Sequence, residues 1–310
     1  MSALYHQFAA FTISGLTVGA IYALLASGYT IVYRILGLFN FAHGGVFMVG
    51  TFIALFVARG MNTNPSVASS ALIGVVAMVV AAAAATTVLS VGLEFSIFRP
   101  IRIRQGGGLP ALVAGLGAIS VLQEIFAKWQ GHYPVRVPQA VGSSTVTTIF
   151  HGQLHVTQLV VFVGAMATLV ALQRFVAVAR TGRALRAAGQ DAKTAALMGI
   201  NVQQVVIVSF VIAGITAGVA ATLSNIYLGS TWYFEGFSLG IKGFTAALLG
   251  GMGSVGGAIA GGLVLGLAES YGAAVFGVEW QDVIAFAALV LVLLIRPRGI
   301  VGERMVTVRA

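Results

Sequence analysis

The sequence predicts an all-α membrane protein, a polytopic transmembrane helical bundle of eight or nine segments, one of them short and glycine-rich. Three observations carry this. Hydrophobic residues make up 58% of the 310 and charged residues only 8%, where soluble domains carry about 25% charged residues. Mean hydropathy is +0.98. Apolar runs near the ~20 residues of a membrane span recur from end to end, so the chain reads as a single domain, 1–310. That leaves no room for an attached catalytic or nucleotide-binding domain.

The apolar runs are 10–32, 41–58, 68–93, 110–128, 156–178, 205–228, 239–251, 255–275 and 283–295. Before the first, MSALYHQFAA lacks the basic start of a signal peptide, which predicts a retained span. The third is followed by Arg99, Arg102 and Arg104, the fifth by a cluster from Arg174 to Lys193, and the ninth by Arg296, Arg298, Arg304 and Arg309. Basic residues favour cytoplasmic loops, so the net charge of +9 reads as topology and not as nucleic-acid binding. With all three clusters inside, the N-terminus lies outside. The seventh run is too short for an upright span and is a candidate re-entrant or broken helix. If it crosses, there are nine passes and the C-terminus is inside; if it is re-entrant, there are eight. The loop between the fourth and fifth runs holds His132, Pro134, Pro138, Ser143, Ser144, His151 and His155, which suits an outside loop with turns or short strands.

Forty glycines in such a chain predict close helix packing, since glycine weakens a helix but lets backbones approach. Pairs four apart include Gly15 with Gly19, Gly214 with Gly218, Gly257 with Gly261 and Gly262 with Gly266. The spacing of Gly251, Gly253 and Gly256 matches a dinucleotide fingerprint only superficially, because its flanks, ALLG before and AIAGGLVLGL after, offer neither the preceding strand nor the amphipathic helix that the motif needs. Gly189 to Thr194 lacks the second glycine of a phosphate-binding loop, so the chain itself is expected to bind no ATP. The absence of cysteine removes thiolate chemistry.

Ionisable residues inside the apolar runs are few: His43, Glu124 and Glu269, with Glu94 and Lys242 nearer the ends. Such groups are candidate pathway or structural polar residues. His43, shortly after Asn40, is expected as a neutral imidazole hydrogen-bonded to nearby backbone. Glu124 and Glu269 are expected to reach the membrane interface from helix ends. A proton relay would need more such groups in line.

The longest polar interruption is RTGRALRAAGQDAKTAALMGIN, from Arg180 to Asn201, with Arg180, Arg183, Arg186, Asp191 and Lys193. Charges at this density cannot sit in hydrocarbon, so the segment is a loop with its own role. Asp191 is placed to cap a short helix from Ala192 to Met198, and Gly199 to end it. Ala192, Ala195, Ala196 and Gly199 then share a smooth face suited to a partner's groove.

Three long motifs in order resemble the permease subunits of bacterial branched-chain amino acid ABC transporters, the H-type subunit of the Liv system. They are LTVGAIYALLASGYTIVYRILGLFNFAHGGVFMVG (16–50), LRAAGQDAKTAALMGINVQQV (185–205) and GGMGSVGGAIAGGLVLGLAE (250–269). The resemblance implies a multi-pass bacterial inner-membrane importer subunit that is not itself an enzyme. It implies a second, paralogous M-type permease, two cytoplasmic ATPases that bind ATP and Mg, and an external solute-binding protein. ATPase coupling would fall on Arg183, Arg186, Ala187, Ala188, Gly189, Asp191, Ala195, Ala196, Gly199 and Asn201. Urea and short-amide permeases share these signatures, and an ion-coupled transporter working alone is the alternative of a different class.

Overall fold

The computed structural model describes residues 2–61, 68–104, 108–139, 141–142, 145–149, 152–295 and 299–300. Ser143, Ser144 and His151 of the outside loop, and Arg296, Arg298, Arg304 and Arg309 after the last run, lie outside the described residues. The helices are α1 (Ser2–Leu36), α2 (Ala42–Gly60), α3 (Ala68–Leu93), α4 (Arg99–Ile103), α5 (Gly108–Gln130) and α6 (Val156–Val178) in the first part of the chain. Then come α7 (Arg180–Gln190), α8 (Ala192–Leu197), α9 (Val202–Leu228), α10 (Glu235–Gly250), α11 (Val255–Phe276) and α12 (Gln281–Ile295). Four short strands, β1 (Val135–Arg136), β2 (Thr145–Ile149), β3 (Gly152–His155) and β4 (Ser230–Thr231), form two antiparallel pairs, β1 with β4 and β2 with β3.

Among the described residues, eight helices are long and apolar enough to cross a membrane. The centre of the bundle is α1, α2, α9 and α10, while α3, α5, α6 and α12 present large apolar residues such as Val88, Val121, Val163 and Leu294 outward, as lipid-facing helices do. Glycine sets how closely the central helices meet. A Cβ on Gly262 would fall 2.5 Å from the Ala23 nitrogen, and one on Gly266 2.4 Å from the Gly15 carbonyl oxygen, so α1 and α11 cross antiparallel with backbones touching. Gly214 and Gly218 do the same for α9 against Thr87 and Ala83 of α3. Hydroxyls then add directed bonds between these two helices. Thr86 Oγ1 donates to the Gly214 carbonyl at 2.8 Å and Ser90 Oγ to the Phe210 carbonyl at 2.9 Å.

Two ends of the bundle differ in charge. Arg34, Arg99, Arg102, Arg104, Arg174, Arg180, Arg183 and Arg186 gather at one end, and the β1–β4 pair marks the other. The fate of the seventh apolar run follows from its neighbours at each end. Glu235, at the start of α10, accepts from Ser224 Oγ at 3.2 Å, one turn before the end of α9 beside β4. Past the far end of α10, the Gly253 carbonyl accepts from Arg34 Nη1 at 2.9 Å. The segment therefore goes from one end to the other as one unbroken helix, and the re-entrant alternative gives way to a ninth traverse. Sixteen residues reach only about 24 Å at 1.5 Å per residue. The crossing works because the chain before α10 is sunk a helical turn into the bundle. Ile300, after α12, donates its N–H to the Leu249 carbonyl at 2.8 Å, which returns the chain to the basic end.

Candidate functional site

The polar segment after α6 is not a loop throughout. Ala179 is extended and breaks the helix, and α7 follows with Gly182, Leu185 and Ala188 buried and Arg180 and Arg183 exposed. Gly182 is required there, since a Cβ would meet the Phe175 carbonyl oxygen at 2.5 Å. Arg186 folds back and donates to the Val176 carbonyl, so it closes the α6–α7 corner. Ala187 is half-buried. Gly189 lies under Arg34 of α1, with space for no side chain.

Asp191 caps α8 as the sequence predicts. Its Oδ1 accepts from the backbone N–H of Lys193 at 2.9 Å and of Thr194 at 3.2 Å, and its Oδ2 accepts from the Thr194 hydroxyl. These bonds, the Thr194 hydroxyl first, hold its carboxyl below the usual aspartate range. Gly199, at φ +84°, terminates the helix. Asn201 then caps α9, its Oδ1 accepting from the Gln204 N–H at 3.1 Å, which is a structural duty.

The expected smooth face is corrected in one respect. Ala195 is buried against Leu172, Leu185, Ala188, Val205 and Val255 and cannot offer itself to a partner. What α8 presents outward is Ala196 and Gly199 beside two large apolar side chains, Leu197 at 88% and Met198 at 80% exposure. The sequence carried a signal for them: two bulky apolar residues, just before a helix-stopping glycine, in a stretch otherwise small and polar. Behind α8 the packing is continuous to the bundle. Val255 opens α11, and Arg34, which covers Gly189, bonds Gly253 in the α10–α11 turn.

A latch secures the neighbouring helix. Arg102 of α4 donates to Glu94 Oε1 at 2.9 Å and to Gln203 Oε1 at 2.7 Å. Glu94 opens a short π-helical stretch, Glu94–Phe98, between α3 and α4 and is fully buried. The first turn of α9 is thereby tied to α3.

The remaining polar residues fall into different places. Glu124 is exposed and pairs with Lys128, one turn on, at 3.4 Å. Glu269 is a correction: it is 3% exposed and does not reach an interface. Its Oε2 accepts from Tyr22 Oη at 2.7 Å and faces Lys242 Nζ at 3.5 Å, while Lys242 also meets Asp282 Oδ1 at 2.8 Å. Four helices thus share one ion cluster. His43 is buried, its ring over Gly28 and edge-on to Tyr29 with centroids 4.7 Å apart. The Leu25 backbone is the polar group that faces its ring. Asn40 is also buried, and its backbone carbonyl accepts from the His43 N–H at 3.2 Å to start α2.

The comparison that decides the family covers almost all of these elements. Residues 11–293 match the family model of the branched-chain amino acid transport system / permease component. The chain belongs to this permease family. It is 39% identical to the high-affinity branched-chain amino acid transport system permease protein BraD of Pseudomonas aeruginosa, over 98% of each chain. It is 36% identical to the corresponding LivH protein of Escherichia coli K12, again over 98% of each. A more distant similarity, 28% over 90% of this chain and 88% of the other, is to a probable branched-chain amino acid transport permease protein LivH of Methanocaldococcus jannaschii. The permease is thus a multi-pass membrane transport subunit that works with other ABC transporter components, and ATP hydrolysis belongs to separate subunits.

Proposed function

We propose that this permease translocates branched-chain or other hydrophobic amino acids across the bacterial inner membrane, as one half of a pathway completed by a paralogous permease. Its basic end faces the cytoplasm. Two ATPase subunits, which bind ATP and Mg, dock there, and a solute-binding protein delivers substrate at the other end; the permease binds no cofactor itself. The observation that carries this reading is α8: a capped, rigid helix presenting Leu197 and Met198, backed by Ala195 and Val255 so that force on it reaches α9 and α11. Arg180 and Arg183 flank it as exposed cations. Two apolar anchors seated in a partner's cleft and desolvated are the kind of contact that dominates binding, and a stiff backing is what transmits closure of the partner.

The test is reconstitution of the assembly in vesicles with receptor, ATPases and labelled leucine. Wild type accumulates leucine on ATP addition. Leu197→Asp with Met198→Asp lowers uptake about tenfold or more, consistent with loss of ~1.4 kcal/mol or more of contact, while the membrane-embedded protein stays folded. Unchanged uptake by that variant removes α8 from coupling. Accumulation by the chain alone under an ion gradient overturns the ATP-driven reading.

A further inference from the structure

Between α1, α9, α10 and α11, toward the end opposite α8, lies a cavity of about 290 Å³. That is close to the ~300 Å³ lower bound of small-molecule pockets, room for one amino acid and not for a peptide. Its lining combines the aliphatic side chains of Val18, Ile21 and Leu239 with Tyr22, Lys242 and Glu269 of the ion cluster, among hydroxyls such as those of Ser14 and Tyr227. A purely structural ion pair has no need of such a void beside it, and a void for lipid tails has no need of buried charge.

The cluster is unbalanced in a particular way. Two carboxylates, Glu269 and Asp282, share the single ammonium of Lys242. The shorter of these contacts goes to Asp282, which is 64% exposed and therefore free to trade its partner for water or for another anion. Glu269 uses only Oε2, and its buried Oε1 has no hydrogen-bond partner. The site thus holds one exchangeable cation and one half-used anion among aliphatic side chains.

We propose that this cavity is a transient binding pocket for an α-amino acid inside the permease, reading the zwitterionic backbone with Lys242 and Glu269 and the aliphatic side chain with Val18, Ile21 and Leu239. The incoming carboxylate takes the place of Asp282 on Lys242, and the ammonium supplies the missing donor to Glu269. Competition from Asp282 keeps binding weak, as a pathway that must release its cargo requires. The inference rests on the reading of the chain as a hydrophobic amino acid permease.

The experiment is equilibrium binding of labelled leucine to the permease assembly in lipid nanodiscs, without nucleotide or receptor. Saturable binding is expected, displaced by valine and not by 3-methylbutylamine or 4-methylpentanoate, which each lack one charge of the zwitterion. Val18→Phe, which fills the cavity and leaves every charged side chain in place, abolishes it, and Leu239→Phe does so from α10 should the first variant fail to fold. Asp282→Asn, at an exposed position, lowers the Kd about twofold to fivefold, the scale of a partly exposed ion pair. A merely structural cluster would not tighten in this way. Wild-type protein that imports leucine with its partners yet binds none here overturns the pocket and leaves the functional reading intact, as does binding that survives both Phe variants or weakens in Asp282→Asn. Absence of leucine import by the complete assembly overturns both.

Discussion

Asp191 and Arg102 show how single side chains set the working surface. The Asp191 carboxylate satisfies two free N–H groups at the start of α8, and its pH behaviour follows from the direction of its shift. A carboxyl held below the usual range contributes fully above the ordinary aspartate value and loses that contribution only as pH falls through its lower folded value. Protection of the Lys193 and Thr194 amides, relative to their intrinsic exchange at each pH, should therefore hold across the neutral range and fall only in strong acid; in Asp191→Ala it should be low at all pH. Arg102 does the same for a buried charge. Arg102→Met leaves fully buried Glu94 without its cation, at a cost of about 3 kcal/mol. A lowered thermal midpoint, restored when Glu94→Gln is added, is the expected result, and no rescue would mean that Arg102 acts through Gln203 instead. Asp191 was legible as a cap from its place before AKTAAL. The partner of Glu94 was not, because Arg102 reaches it only through the helical continuation of α3.

At the scale of the elements, helix contacts are decided by what glycine leaves out. Gly266 and Gly92 are both helical, but a Cβ on Gly266 meets the Gly15 carbonyl and the Gly19 Cα at 2.4 Å, whereas one on Gly92 meets nothing within 4 Å. Gly266→Ala must push α1 and α11 apart, costing about 1–3 kcal/mol, and Gly92→Ala should stabilise α3 by up to about 1 kcal/mol. Thermal unfolding of the two variants in one detergent checks the contrast, and equal shifts would sink it. The glycine spacing in the sequence pointed to such contacts without saying which helix met which. α8 teaches a similar lesson. Its length, cap and stop were readable from eight or so adjacent residues, but the side it turns outward depends on Leu172, Leu185 and Val255, which lie far away in the chain.

Across the whole molecule, the nine traverses place every described basic cluster at one end. The chain has no cysteine, so single cysteines report topology without background. Cysteines at Leu197 and at half-buried Met252 in the α10–α11 turn should label with an impermeant maleimide only from the cytoplasmic side, and cysteines at Glu279 and Trp232 only from the other. Labelling of the Met252 and Trp232 positions from the same side would return α10 to a re-entrant segment. The buried anchors at its start, with Asn225 Nδ2 donating to the Thr51 carbonyl at 2.7 Å and Thr231 bonding Thr51 at 2.7 Å, hold the short helix at the depth that lets it cross.

The sequence by itself determined the membrane class, the number and position of the apolar runs, the cap and stop of α8 and the family resemblance, because each is written in neighbouring residues through hydrophobic run length or contiguous motif. Only the tertiary structure decided that the seventh run crosses, that Ala195 faces inward while Leu197 and Met198 face out, and that Glu269 is a buried ion partner and not an interfacial one. Those outcomes depend on pairs such as Tyr22 and Glu269, 247 positions apart. No local pattern records such a distance, and the energy of a charge in a membrane depends on which neighbour the fold brings to it.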